Sequence, residues 1–283
     1  MPYFDALLRR LAENEPDAQL AFGRHVHWGY WTDPEQATGT AEDYAVAAEA
    51  MCRETCDAAD LRHGLRILDV GCGFGGTIAS LNERFRNVDL LGINIDPRQL
   101  ARARHLVQPR RGNRIRFVEG NACALPFAAG MFDVVLAVEC IFHFPSRDDF
   151  FAETARVLVE GGRLVISDFV PAPETAATLH DYSAGEGGIV ERTYGKVDFF
   201  CTLQRYQELA ELAGLQNLGS RPITPHTLPT FIFLRKHHRA SPVPEEARRF
   251  DRATMRLEVA SRMGWLDYTI LRFQKPRRLA ARA

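Results

Sequence analysis

Nowhere in this sequence is there an unbroken apolar run of the roughly 18 residues that a membrane-spanning helix requires, so insertion into a bilayer is not expected. Neither sign of charge dominates. The 35 Lys and Arg against 36 Asp and Glu leave a formal charge of −1, and no global field draws the chain to nucleic acid or an anionic membrane. Cysteine is sparse and scattered, at Cys52, Cys56, Cys72, Cys123, Cys140 and Cys201, without a disulfide framework. Cys52 and Cys56 share a helix face but have no second Cys/His pair, so no zinc or other metal site is expected. Repeats and low-complexity tracts are also lacking. Met1-Pro2-Tyr3-Phe4-Asp5 shows no basic-then-apolar leader, and a cytoplasmic protein with reduced thiols is expected.

What is present is an ordinary globular composition, 46% hydrophobic and 25% charged over 283 residues. The organising stretch is Arg66 to Gly76. Ile67-Leu68-Asp69-Val70 reads as a buried strand, Gly71, Gly73 and Gly75 follow at alternate positions, and Thr77 to Phe85 reads as a helix. Strand, glycine turn and helix open a nucleotide pocket, because glycine lets the backbone approach a ligand closely. A dinucleotide oxidoreductase uses a different glycine spacing. Asp69, two residues before Gly71, would repel a pyrophosphate and suits a cationic ligand.

Strands and helices then alternate, as in a parallel sheet covered on both faces. Strands are predicted at 88–94, 114–119, 132–138, 163–169, 218–223 and 266–273, with helices at 3–24, 41–58, from Pro97, 147–158, 202–213 and 245–262. Residues 170–201 read as a lid loop broken by prolines and glycines. His25 and His27 read as surface residues or caps, His237-His238-Arg239 as a solvated basic turn, and Ser241-Pro242-Val243-Pro244 as a hinge. The expected division is an N-terminal helical cap segment (1–58), a core (59–224), a helical cap insertion (225–264), a last core strand (265–276) and a tail (277–283).

Asp69-Val70-Gly71-Cys72-Gly73 in this context resembles the first motif of the class I S-adenosylmethionine (SAM) methyltransferases. Gly120-Asn121-Ala122-Cys123-Ala124-Leu125-Pro126-Phe127 resembles the family's Gly-Asp-Ala-x-x-Leu-Pro-Phe, and Val157 to Gly162 its Arg-Val-Leu-x-x-Gly-Gly. His27-Trp28-Gly29-Tyr30-Trp31 is similar to a stretch of the ubiquinone, tocopherol, sterol and natural-product subgroup. The resemblance covers about residues 20 to 215. It implies an α/β, Rossmann-like seven-stranded sheet, mostly parallel with only the last strand antiparallel, helices on both faces, and a mainly helical cap. It implies SAM as cofactor. It places the SAM ammonium near Asp69, its ribose at Asn94 or Asp96, its adenine at Asn121 and Ala122, and its backbone cradle at Gly71 and Gly73. Tyr30 and Trp31 are expected to close over the sulfonium, whose charge an aromatic face tolerates, and Glu139 either to contact SAM or substrate or only to bond the backbone at the strand end. Asn94 and Asn121 stand where carboxylates are usual; Asn94 is similar to the sterol C-methyltransferases.

His143, past the end of the fourth strand, and Asp168, at the end of the fifth, fall on the rim where open α/β sheets bind ligands. Histidine is the usual proton acceptor near neutral pH, and a carboxylate beside it fixes its tautomer. The expected reaction is O-methylation of a small, largely apolar natural product with His143 as base and Asp168 orienting it, by a monomer or homodimer. Phe199, Phe200, Phe231, Phe233 and Leu234 are the expected pocket lining. Capping of the helix beginning near Ser146 is the plainer role for His143. C-methylation of an isoprenoid or sterol-like alkene, and a non-catalytic SAM-binding protein, are the alternatives.

Overall fold

The computed structural model of the chain describes residues 1–239 and 243–277, so Ser241 and Pro242 of the expected hinge and the tail beyond Arg277 lie outside the described residues. Seven strands form one sheet: β1 (Arg66–Val70), β2 (Asp89–Asn94), β3 (Arg114–Glu119), β4 (Phe132–Val138), β5 (Leu158–Pro171), β6 (Gln216–Pro222) and β7 (Leu266–Gln274). Their spatial order is β3-β2-β1-β4-β5-β7-β6. The first five pair in parallel. β7 runs against both neighbours: Lys275 bonds Gly161 while Trp265 bonds Ala172, and Tyr268 bonds Ile223 while Arg272 reaches Leu218. β1 and β2 are near-continuous apolar runs, Ile67, Leu68, Leu90, Leu91 and Ile93 all being buried, as strands covered on both faces require.

The helices are α1 (Pro2–Ala12), α2 (Pro16–Phe22), α3 (Ala41–Asp57), α4 (Gly76–Arg84), α5 (Pro97–Leu106), α6 (Arg147–Val157), α7 (Ala176–Tyr194), α8 (Leu203–Leu212), α9 (Thr224–Thr227), α10 (Pro229–Arg239) and α11 (Pro244–Arg262). Two compact units result. One comprises Met1–Met51, Phe169–Leu203 and Pro222–Thr269; the other comprises Cys52–Asp168, Gln204–Arg221 and the chain from Ile270.

Several expected elements differ. The single lead-in helix over 3–24 is two, since Asn14 takes a left-handed backbone (φ 55°) and Pro16 opens α2 in its first turn. β5 begins at Leu158, ahead of the expected start at Arg163, with a register irregularity against β4 between Phe132 and Val134. The expected irregular stretch 170–201 holds the 19-residue α7, with Gly185, Gly187 and Gly188 inside it. Packing against α1 and α11 overrides a helix cost of about 1 kcal/mol per glycine. The insertion is helical well before Glu245, because Pro225 and Pro229 start α9 and α10 rather than breaking a helix.

The histidines depart furthest from expectation. His237-His238-Arg239 is the last turn of α10, not a solvated turn. His237 is buried and hydrogen-bonds Arg10, which also bonds Glu15. Burial and the Arg10 charge hold His237 down to about 3. His25 and His27 are buried, not superficial.

Trp28 anchors the first unit. Its ring lies 4.6 Å from Phe169, 4.7 Å from Phe231 and 5.7 Å from Tyr268, and Phe199 extends the cluster through Phe169 at 5.2 Å. Phe233 stacks on Tyr44 at 4.3 Å. Phe199, Phe231 and Phe233, the expected pocket lining, thus build this unit's own core. Replacing Trp28 with Ala removes the common partner of three rings and lowers stability by about 3–5 kcal/mol, measured by denaturant unfolding; a loss below about 1 kcal/mol would show that the cluster does not depend on it.

Candidate functional site

The second unit assembles its polar groups at the carboxyl ends of β1, β2, β4 and β5. Parallel pairing keeps these ends flush: Val70 stands beside Ile93, Asn94 beside Glu119, and Val138 beside Ser167. The order reverses at β1, with β2 on one side and β4 on the other, which is where such sheets open a crevice. The turn after β1 enters that crevice through left-handed glycines. Gly71 has φ 70°, and a Cβ there would stand 2.7 Å from the Cβ of Cys140. Gly73 has φ 52°, yet its Cβ direction meets nothing nearer than the Gln99 oxygen at 3.8 Å, which leaves room for a ligand. α4 starts at once behind Gly75 with no side-chain cap, so its first N–H groups have no side-chain acceptor.

Asp69 is 1% exposed, and its Oδ2 is buried with no hydrogen-bond partner among the described residues. Burial pushes its carboxyl up to about 8. A cation suits such a group, and the uncapped α4 terminus suits an anion. An amino-acid zwitterion, which the methionine part of SAM is, presents both. The residues present therefore fit SAM. Cys72 and Cys140 flank Asp69; burial first, and its charge second, push both thiols well above their usual range and keep them protonated. Among the described residues no group of three His, Cys, Asp or Glu is placed to hold a metal ion.

The amides that replace expected carboxylates are engaged within their own loops. Asn94 donates to Gln99 Oε1 (3.0 Å) and accepts from the Asp96 amide (3.0 Å). Asp96 caps α5 by accepting from the Arg98 amide at 2.9 Å and pairs with the Arg98 guanidinium, which holds its carboxyl below the usual range. Asn121 is exposed, and its oxygen accepts from the Cys123 amide at 2.9 Å, closing a turn beside buried Ala122. Glu139 is half-buried in a left-handed conformation, φ 48°, and its amide donates to the carbonyl and hydroxyl oxygens of Ser167. A non-glycine residue held there is a strained point on the rim.

His143 ends a short 3-10 turn, Ile141–His143, and is half-buried with its ring 4.4 Å from Phe142. It is not the cap of α6, since Ser146 performs that task by accepting from the Asp149 amide at 3.1 Å. Asp168 is fully buried and accepts from the Tyr206 hydroxyl and from Arg147 at 3.3 Å. Sequence reasoning missed Arg147 and Tyr206; both read as ordinary helix residues. Tyr30 and Trp31 belong to the first unit. Tyr30 stacks on His226 at 4.6 Å, while the Trp31 indole donates to Asp43 at 3.1 Å and its amide to the His226 carbonyl at 2.9 Å.

Asp69 gives the stability of the ligand-free protein a definite pH dependence. Between its ordinary value of 3.8 and about 8 the folded state binds the proton more tightly than the unfolded state. Stability therefore falls as pH rises through that window. Asp69→Asn, which cannot ionise, should flatten this slope, measured by urea midpoints at several pH values; an unchanged slope would show that Asp69 is not its source.

Residues 68–166 match the family model described as a methyltransferase domain. The chain is 34% identical over 252 residues to the methyltransferase GfsG of Streptomyces halstedii, covering 82% of this chain and 84% of that one. It is 30% identical over 266 residues to the 27-O-demethylrifamycin SV methyltransferase of Amycolatopsis mediterranei, covering 90% and 91%. The fold is shared with the geranyl diphosphate C-methyltransferase of Streptomyces coelicolor A3(2), solved with Mg2+, geranyl diphosphate and S-adenosyl-L-homocysteine, at a TM-score of 0.69 and 19% identity over 97% of this chain and 98% of that one. Among the described residues no helix is long and apolar enough to cross a membrane. The chain belongs to the class I SAM-dependent methyltransferases, and it is an enzyme of the natural-product type with SAM as its cofactor.

Proposed function

We propose that this enzyme methylates a hydroxyl oxygen of a small, largely apolar natural product, with His143 as the general base. The observation that supports this reading is that His143 lies on the short turn after β4, three residues beyond Cys140, whose side chain lies against Gly71, while helix capping falls to Ser146 instead. The similarity to a relative named for O-methylation over nine-tenths of the chain supports the choice of oxygen.

SAM, when bound, supplies a methyl group already activated on a sulfonium. The chain's own residues then have three tasks. Asp69 and the uncapped start of α4 receive the two charges of the amino-acid end. The Gly71–Gly75 turn lets the backbone approach it and sets the direction of transfer. His143 takes the hydroxyl proton as the oxygen attacks. Asp168, held by Arg147 and Tyr206, is a positioning residue that fixes a negative charge on the same rim. Asn94, the residue that favoured C-methylation, has its amide engaged by Gln99 and Asp96.

Two substitutions separate these tasks. His143→Ala should lower kcat by about 10²–10⁴-fold while SAM affinity by calorimetry stays within about twofold. Asp69→Asn should weaken SAM binding by about tenfold or more, since one buried charge pair is lost. Transfer of labelled methyl to hydroxylated apolar acceptors at the wild-type rate by His143→Ala would remove the base assignment.

A further inference from the structure

His25 and His27, 4% and 8% exposed, take no part in the methyl-transfer chemistry above. Three contacts run through them in series. His27 Nδ1 lies 2.9 Å from the Trp28 carbonyl oxygen, His27 Nε2 lies 3.1 Å from His25 Nδ1, and His25 Nε2 lies 2.9 Å from Glu49 Oε2. Each contact needs one hydrogen between its heavy atoms.

The count is unforgiving. A carbonyl only accepts, so His27 Nδ1 carries a hydrogen. If His27 is neutral, its Nε2 accepts, and His25 Nδ1 must donate. Nε2 of His25 then faces a carboxylate, which when ionised only accepts. Two neutral imidazoles bring two hydrogens, and the three contacts use three. With one fewer, two lone pairs would face each other at about 3 Å in a buried place, and an unmade buried hydrogen bond costs its full desolvation.

We propose that His25, His27 and Glu49 form a buried proton-binding site, holding one proton beyond two neutral imidazoles and a carboxylate, with His25 as the imidazolium. The proton sits on His25 rather than on Glu49 because the Arg24 guanidinium also lies 3.1 Å from the same Glu49 oxygen and favours its ionised form. Burial, and then the His25 charge, push His27 down to about 3, which keeps the second ring neutral. The charged and titratable groups recorded against the pair are Glu49 of α3, Arg24 of the same stretch, and Tyr44 of α3, whose hydroxyl donates to the His27 carbonyl at 3.0 Å. The site is the first anchor of the aromatic stretch. Beyond it Gly29 donates to the Thr230 hydroxyl, Tyr30 to the Ala47 carbonyl and Trp31 to the His226 carbonyl.

Long-range proton–nitrogen correlation of the imidazole rings in uniformly 15N-labelled full-length protein tests this directly, with His25→Gln and His27→Gln spectra for assignment. At about pH 7.5 His25 should show both ring nitrogens protonated and His27 the Nδ1–H neutral tautomer. Glu49→Gln should lower the His25 titration midpoint by about one pH unit, a tenfold loss of proton affinity. A neutral His25 at that pH overturns the proposal, as does an Nε2–H tautomer at His27 or a midpoint that Glu49→Gln leaves in place. Should Glu49→Gln fail to fold, the wild-type titration alone decides.

Discussion

Asp69 lies on a central strand with parallel neighbours on both sides and covered faces, where it is almost wholly shielded from water and one of its oxygens has no partner among the described residues. A carboxyl in that position is costly whether it is ionised or neutral. The features around it make sense only with that group in place. The chain turns immediately after it through left-handed glycines, the Cys140 side chain closes against the Gly71 backbone, and the next helix begins uncapped. The sheet order changes direction at the same strand, which clears the space that the turn faces.

Asp168 makes an instructive contrast. Both carboxyls are buried at carboxyl strand ends of one sheet, but Asp168 is met by a guanidinium and a phenol that tie α6 and α8 to β5. Removing one partner from such a pair leaves a buried charge exposed to the low-dielectric interior, so the triangle is structural first. Among the described residues Asp69 has no equivalent support. Burial alone would not have told them apart; the partner inventory does.

Much of the sheet was legible because buried parallel strands are short apolar runs bounded by turn residues, and β1, β2 and β4 follow that rule closely, whereas the edge strand β3 alternates apolar with charged residues. The glycine turn was legible for the same reason, since its strand, turn and helix are contiguous in sequence. What was not legible depends on distant packing. The glycines of α7 look like loop residues until the helix as a whole is placed against α1 and α11. The stretch before Glu245 was expected without a helix, although Pro225 and Pro229 stand in the first turns of α9 and α10. His25 and His27 look superficial because nothing nearby shows that Glu49, more than twenty residues on, returns to meet them. Arg147 and Tyr206 were passed over likewise, because their joint partner is on a strand distant from both.

The loop after β2 carries one more implication. Asn94, Asp96 and Arg98 are tied to one another and to the Gln99 side-chain oxygen, so the loop is held from within. A preformed rim loses little freedom when it is filled, and affinity is not spent on ordering it. The same rigidity works as a gauge. Added bulk on whatever ligand meets this rim finds a wall held from within, and the ionised Asp96 on it adds repulsion against any further negative charge.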